Sequence, residues 1–325
     1  MFIVTVAIVI IPAFVLLLYA TLYCPFQMEL DKRELFFDNL PDELDGKTIF
    51  FCGDLHLRQW DYRIIWVQHQ MKKAAADLIL FSGDIVEESG VPFLEEFLSP
   101  LSMGEVAVED SVAGDSTVAA TVADDSTVPR TFAPLGMCFV PGNNENHLKD
   151  KEAVFSVFEK IGFKVLLNSS FRAGPRLVIA GTDDPSRNHD DLELTMTRSL
   201  TNAGGMTEHR FSEIKEYGEI EISDRDFIIA LTHSPELFPL CVDKKIPLTL
   251  AGHTHGGQVR APWIGALWVD TPRTGGKYDA GIFEEKGCQL LVTRGVGMSK
   301  LPLRCLCNPE VHLLTLRKGC SSSLQ

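Results

Sequence analysis

The sequence has no excess of positive charge. Its 325 residues carry 30 Lys and Arg against 44 Asp and Glu, a formal net charge of −14. So acidic a surface has no general attraction for phosphate backbones, which excludes a broad nucleic-acid binder. A local cationic site remains open, including one made by bound metal. No C-x-x-C pair occurs among the eight cysteines. Cys305 and Cys307 are two apart, which matches neither a zinc nor a thioredoxin pattern. Cys52 and Cys138 lie in apolar runs, where a free cysteine behaves as a small hydrophobe, so a reducing compartment is expected. Charge is missing altogether from Met1 to Gln27. A signal peptide wants a charged n-region and a shorter apolar run, so a cleaved leader fits poorly. Tyr23 precedes Cys24 where a lipoprotein site needs a small residue.

What is present at that end is an apolar stretch long enough, as a helix, to cross a hydrocarbon core of ~30 Å. Residues 1–26 therefore read as a retained transmembrane anchor, with Pro12 tolerated and Tyr19 and Tyr23 as interfacial aromatics. Lys32 and Arg33 follow it, so positive-inside logic places the bulk of the chain in the cytoplasm. Residues 27–46 read as a polar juxtamembrane linker, 47–318 as the globular domain and 319–325 as a disordered tail. With 45% hydrophobic and 23% charged residues, the chain is globular in composition.

Within 47–318, Thr48–Cys52 reads as a buried strand, 64–76 has apolar residues at helical spacing, and Leu78–Phe81 is a second buried strand. That is a strand–helix–strand unit. Further strands are expected at Cys138–Val140, Leu177–Ala180, Phe227–Leu231, Leu248–Leu250, Leu290–Thr293 and Val311–Leu316, with a helix near Asp191–Leu200. The class is α/β. Residues 104–131 hold six acids, no base before Arg130, and the tetrapeptide DSTV twice. They read as a low-complexity surface insertion, with a lid as the other reading.

Polar groups stand at the exits of the apolar strands, where α/β folds place their sites. They are Asp54 and His56 in GDLH, Asp84 in GD, Asn143 in PGNNE, His233 after FIIALT, and His253 and His255 in AGHTHGG. Singly, each is a cap or a structural histidine. Together they supply the imidazole and oxygen donors that Mn, Fe or Zn prefer. Seven donors exceed one ion and suit two that share a carboxylate. His69, His189, His209 and His312 follow no motif and read as structural or surface residues.

The order D-x-H, G-D, G-N, H, G-H-x-H resembles that of the calcineurin-like metallophosphoesterases, from about Ile49 to Arg317. The resemblance implies a four-layer α/β/β/α sandwich with the site at the strand ends. It implies one metal on Asp54, His56, Asp84 and His255, and a second on Asp84, Asn143, His233 and His253. Asp84 would bridge, and metal-activated water would attack phosphorus. The imidazole and oxygen donors and a phosphate substrate favour Mn²⁺.

One position departs from the pattern: where most of the family has His after the Asn, this chain has Asn144. That residue normally stabilises the transition state or protonates the leaving group. A pyrophosphate would suffer less from its loss, because a phosphomonoester with a second pKa of ~6 departs unaided. Asp84, Asn143 and Asn144 are the expected catalytic residues, and Arg58, Asn144, His147 and Arg260 the expected substrate contacts. Arg273 and Lys277 are further cationic candidates.

The apolar N-terminus and the block 293–317 make the chain similar to membrane-anchored UDP-2,3-diacylglucosamine pyrophosphatases of lipid A biosynthesis. That resemblance implies water attack at the α-phosphate, releasing UMP and 2,3-diacylglucosamine 1-phosphate. It implies an amphipathic UDP-lipid and the bilayer as partners, with no protein partner, at the inner membrane as a single-pass protein facing the cytoplasm. A phosphodiesterase or phosphatase acting on another lipid or nucleotide is the alternative. Phe93, Leu94, Phe97, Leu98 and Leu101 form either a core face or an acyl groove. Trp263 and Trp268 read as core, substrate or membrane contacts.

Deleting 106–128 is expected to leave metal binding intact. Metal content of the purified deletion variant checks this, and loss of the ions would make the segment part of the site.

Overall fold

The computed structural model describes residues 2–102, 133–200, 217–299 and 301–319. The insertion expected at 104–131, His209 and the tail beyond Gly319 lie outside them.

Among the described residues the strands are β1 (Glu29–Phe37), β2 (Thr48–Cys52), β3 (Leu78–Phe81), β4 (Met137–Phe139), β5 (Phe163–Val165), β6 (Ser169–Gly174), β7 (Leu177–Gly181), β8 (Arg198–Leu200) and β9 (Tyr217–Glu219). They continue with β10 (Phe227–Leu231), β11 (Leu248–Ala251), β12 (Arg260–Ala261), β13 (Gly265–Ala266), β14 (Gly281–Glu285), β15 (Cys288–Val292) and β16 (Glu310–Lys318). The α-helices are α1 (Phe2–Leu18), α2 (Tyr62–Ala74), α3 (Val91–Leu98), α4 (Lys151–Ile161), α5 (Leu192–Thr197) and α6 (Phe238–Asp243).

Two large sheets result, ordered β1-β16-β2-β3-β4-β5 and β14-β15-β11-β10-β7-β6-β8-β9. Strands β2 to β5 run parallel, as do β7, β10, β11 and β15. Their side chains alternate strictly. Ile49, Phe51, Leu80 and Cys138 face Ile179, Ile229, Leu250 and Leu291 of the other sheet. Phe50, Phe81 and Phe139 turn outward onto Val67, Leu94 and Phe158 of helices α2 to α4. Ala230, Leu290 and Val292 turn outward onto Phe238 and Cys241 of α6. Three apolar layers between helix, sheet, sheet and helix make the expected α/β/β/α sandwich, because strands buried on both faces need cover on both. Leu94, Phe97, Leu98 and Leu101 are fully buried in the first layer, so they are core and not an acyl groove. The seven described cysteines are free and buried.

Two expectations are corrected. Among the described residues no helix is long and apolar enough to cross a membrane. Helix α1 has 17 residues, about 25 Å at 1.5 Å per residue, short of the ~30 Å core. The chain leaves α geometry at Tyr19 for a π turn and then a 3-10 turn. The polar stretch read as a linker carries β1, paired in parallel along the whole of β16. Its charges hid it: Asp31 to Glu34 are four in a row between Leu30 and Leu35, and charges of the segment pair across the strands. Arg317 Nε meets Glu34 at 2.8 Å, and Arg294 bridges Glu29 and Glu310. The segment Asp191–Leu200 also divides, into α5 and the short strand β8, which lies between β6 and β9.

His312 is buried in that network, with Nδ1 3.0 Å from Asp31 Oδ2 and Nε2 3.5 Å from Glu310 Oε1. Burial alone would lower its pKa; the bond to Asp31 and the Glu310 charge outweigh burial and raise it above 6.5. A raised folded-state value gives stability that is full below the unfolded pKa and lost as pH rises through the folded one. Urea denaturation is expected to show less stability at pH 9 than at pH 6. His312→Phe is expected to cost about 3 kcal/mol at pH 6 and to flatten the difference. An unchanged pH slope in the variant would assign the effect elsewhere.

Candidate metal centre

The seven expected donors leave the C-terminal ends of five parallel strands, three in one sheet and two in the other. The exits are laced together by main-chain bonds that continue the strand ladders. Asp54 N donates to Gly83 O at 3.0 Å, His56 N to Asp84 O at 2.9 Å, and Gly252 N to His233 O at 2.9 Å. Five donors sit in left-handed backbone: Asp54, His56, Asp84, His253 and His255 have φ between 48° and 73°. Non-glycine residues seldom adopt this, at on the order of 1–3 kcal/mol each, and such residues cluster at functional sites.

Gly142 shows how tight the packing is. A Cβ there would stand 2.6 Å from the Asp84 amide nitrogen and 2.8 Å from His233 Cε1.

The ring orientations are set from behind. Glu87 Oε1 lies 2.7 Å from His56 Nδ1 and carries negative charge, since the His56 bond and Arg58 hold its pKa down to about 2. His56 therefore donates from Nδ1 and aims the Nε2 lone pair inward. His233 Nδ1 donates to Ser82 O at 2.8 Å, and His253 Nε2 donates to Asp270 O at 2.9 Å. Their inward atoms, His233 Nε2 and His253 Nδ1, lie 3.1 Å apart and each 3.1 Å from Asn143 Oδ1. With both rings neutral, three lone pairs stand this close, an arrangement that a cation among them stabilises. Donors bound to one ion at about 2.1 Å and at right angles would stand at such a spacing.

On the other side His56 Nε2 faces His255 Nε2 at 3.0 Å. Asp84 looks both ways, with Oδ2 3.6 Å from His56 Nε2 and Oδ1 3.6 Å from His233 Nε2. Asp54 Oδ2 and His255 Nδ1 are buried without a hydrogen-bond partner. Asp54, His56 and His255 converge as one group able to hold a metal ion, and Asp54, Asp84 and His233 as another.

Charge points the same way. Burial and Asp84 raise the Asp54 pKa, with histidines opposing. Burial would lower His233, but Asp84 and Asp54 push it up to about 9. Burial and the closeness of the other site histidines, His56 first, drive His255 well below 6.5. Buried carboxylates and lone pairs that face one another call for cations, and the donor set fits two of them.

Above the donors opens a cavity of about 870 Å³. Arg58, Asn144 and His147, the expected substrate contacts, are among the residues that line it. Asn144 is turned to the rear, however: its Nδ2 donates to Glu87 Oε1 at 3.1 Å and its backbone N to Asp84 Oδ1 at 2.8 Å. It supports the ring of His56. Arg58 reaches Glu87 at 3.1 Å and the carbonyl oxygens of Met298 and Ser299. His147 is held by its Nδ1 on the Asn143 carbonyl. Arg260 is corrected: it pairs with Asp279 at 2.9 Å and does not line the cavity. Arg273 pairs with Asp190 and Lys277 with Glu285, also off the cavity lining. His189, set aside in the sequence, lines the cavity, as do Ser186, Trp268 and Ser299. Trp263 and Trp268 are exposed and form no part of a core.

Two residues escaped the sequence reading. Glu145 is fully buried, and its carboxylate accepts the main-chain N–H groups of Asp84, Ile85, Val86 and Gly142 at 2.7–3.0 Å. Burial and Asp84 push its pKa up to about 7, with those donors opposing. Its place in the motif, PGNNE, was the only signal. Arg304 is fully buried, and among the described residues no carboxylate pairs with it. It donates to the carbonyl oxygens of Arg294, Gly295, Gly297 and Cys307, moulding the loop beside Asp54 and His56. Nothing in its spacing marks it.

Glu145→Gln replaces an acceptor oxygen by an NH2 group that faces main-chain N–H. Metal retention is expected to fall about 10–100-fold, read by elemental analysis after dialysis against a graded chelator. Unchanged retention would show that the four bonds do not orient the donors.

The calcineurin-like phosphoesterase family model matches residues 47–257, more than half of the chain. The metallophosphoesterase YkuE of Bacillus subtilis (strain 168) is 26% identical over 92% of this chain and 89% of its own. A transmembrane protein with metallophosphoesterase domain from Danio rerio is 24% identical over 87% of this chain and 56% of its own length. Phosphodiesterase YaeI of Escherichia coli (strain K12) is 39% identical, over only 27% of this chain and 32% of its own. The family uses divalent metals, and its match spans all seven donors that the fold gathers at the strand ends. The chain belongs to the calcineurin-like phosphoesterases, a family of metal-dependent hydrolases.

Proposed function

We propose that the protein hydrolyses the pyrophosphate of UDP-2,3-diacylglucosamine at a membrane surface on the cytoplasmic side, releasing UMP and 2,3-diacylglucosamine 1-phosphate. The observation that carries this reading is Asn144. It stands where a general acid would be expected, and its amide is spent on Glu87. A chain without that acid is best suited to a leaving group that needs none, and a phosphomonoester with a second pKa of ~6 is one.

The two donor groups would be filled as Asp54, His56, Asp84 and His255, and as Asp84, Asn143, His233 and His253. Divalent ions there, Mn²⁺ by donor preference, supply charge neutralisation and lower the pKa of bound water. The chain's own residues do the rest. Asp84 presents one oxygen to each side. Glu87, the Ser82 carbonyl and the Asp270 carbonyl keep protons on the outer ring nitrogens. Arg58 offers the cavity a guanidinium for the phosphate, and His147 offers an imidazole. The Danio rerio relative, whose name places it in a membrane, lends support to the membrane setting.

A second reading is a phosphodiesterase, the activity in the name of the Escherichia coli relative, with His147 on the cavity wall as acid. UMP release from UDP-2,3-diacylglucosamine in detergent, with and without Mn²⁺, decides between them. Mn-dependent release is expected, with a loss of at least about a thousandfold in Asp84→Ala. Turnover of bis-aryl phosphates without UMP release would keep the metal site and discard this substrate.

A further inference from the structure

A hairpin beside the cavity is built opposite to a soluble surface. Strands β12 and β13 pair antiparallel, Arg260 with Ala266 and Ala261 with Gly265, and carry the turn Pro262–Ile264 at their tip. Trp263 is fully exposed, Ile264 is 75% exposed, Leu267 58% and Trp268 66%. Trp263 also holds a left-handed backbone, φ 65°, which aromatic residues seldom adopt. Four large apolar side chains in a stretch of six, none covered by the described residues, make a patch and not scattered exposure.

The patch does not stand alone. Cys305 N donates to Gln258 O at 2.8 Å and Arg260 N to Cys305 O at 3.0 Å, which fastens the hairpin to the loop carrying exposed Leu301 and Leu306. In the same loop Arg304 N donates to Ala20 O at 2.9 Å, which fastens that loop to the end of the N-terminal apolar segment. There Ile10, Ile11, Phe14, Val15, Leu16, Leu17, Leu22 and Tyr23 are exposed. Hairpin, loop and helix are therefore tied to one another through the main chain, and each carries exposed apolar side chains.

We infer that this surface docks on a lipid bilayer, with the tip Trp263–Ile264 inserted among the headgroups, and that docking sets the cavity mouth against the membrane. A bilayer suits the patch better than a protein does. Its exposed end is a tryptophan, the residue that favours the membrane interface. The adjoining segment offers an unbroken run of apolar side chains, with no charge before Glu29, whereas protein interfaces carry a polar rim. Trp268, two residues beyond β13, lines the cavity wall, so the hairpin stands beside the cavity. The substrate class that follows is an amphiphile whose phosphate head rises from the lipid into the cavity. For the substrate alone this rests on the reading above; the docking surface stands without it.

The test uses the full chain, with Trp263→Ser/Ile264→Ser as the variant, on dioleoylphosphatidylcholine vesicles that carry brominated acyl chains. The chain has four tryptophans, and Trp60 and Trp66 pack against the core. Bromine quenching of wild-type fluorescence is expected, with most of it lost in the variant. Hydrolysis of a soluble bis-aryl phosphate is expected to be unchanged by the double substitution. Hydrolysis of vesicle-borne UDP-2,3-diacylglucosamine is expected to fall roughly a hundredfold, as loss of two buried apolar side chains implies. Equal quenching in variant and wild type overturns the docking surface. So does a wild-type dimer in sedimentation that the variant dissolves, because the patch would then be covered by a second copy. Quenching confined to the wild type, without turnover of that lipid by either protein, keeps the surface and discards only the substrate.

Discussion

The Glu145 carboxylate ties the exit of β3 to the exit of β4. It accepts three consecutive amides from Asp84 to Val86 and a fourth from Gly142. Those bonds hold Asp84 in left-handed backbone and bring the β4 exit, with Asn143, against it. A buried carboxylate is costly unless its lone pairs are filled, and here four N–H groups fill them. The same bonds satisfy amides that no strand ladder reaches, so the chain can turn sharply without leaving orphaned donors.

From that anchor the site spreads by the same logic. Three of the four imidazoles, those of His56, His233 and His253, have one nitrogen held by an outer partner and the other aimed inward. The partners differ in kind: a carboxylate for His56, a carbonyl for His233, another carbonyl for His253. The outcome in each case is a fixed tautomer, which is what a metal ligand requires. Strain in the backbone and crowding of lone pairs are unfavourable in isolation, and both are offset by the positive charge the site is shaped to receive. Asn144 joins this supporting layer, and its amide leaves the chemistry to groups on the cavity wall.

The fold was readable where the physics is local. Runs such as TIFFC and LILF are apolar on both faces and bounded by polar residues, which suits a parallel strand between two layers. The seven donors stood out because chemistry-bearing residues recur at the ends of such runs. Strand β1 was not readable, because what fixes it is pairing along β16, some 280 residues away in sequence. The N-terminal segment misled in the opposite way. Its composition alone could not show where helical geometry ends, at Tyr19.

Residue order was enough to give the donors, the strands that carry them and the class of chemistry, since each depends on side-chain type and on a period of two. What required the folded chain was direction and neighbourhood. It turned Asn144 toward Glu87, withdrew Arg260 onto Asp279, and brought His189 to the cavity. It also buried Arg304 among carbonyl groups and raised Trp263 into the open. None of these has a local signature, because a side chain's partner across the fold is decided by packing among segments that the linear sequence keeps apart.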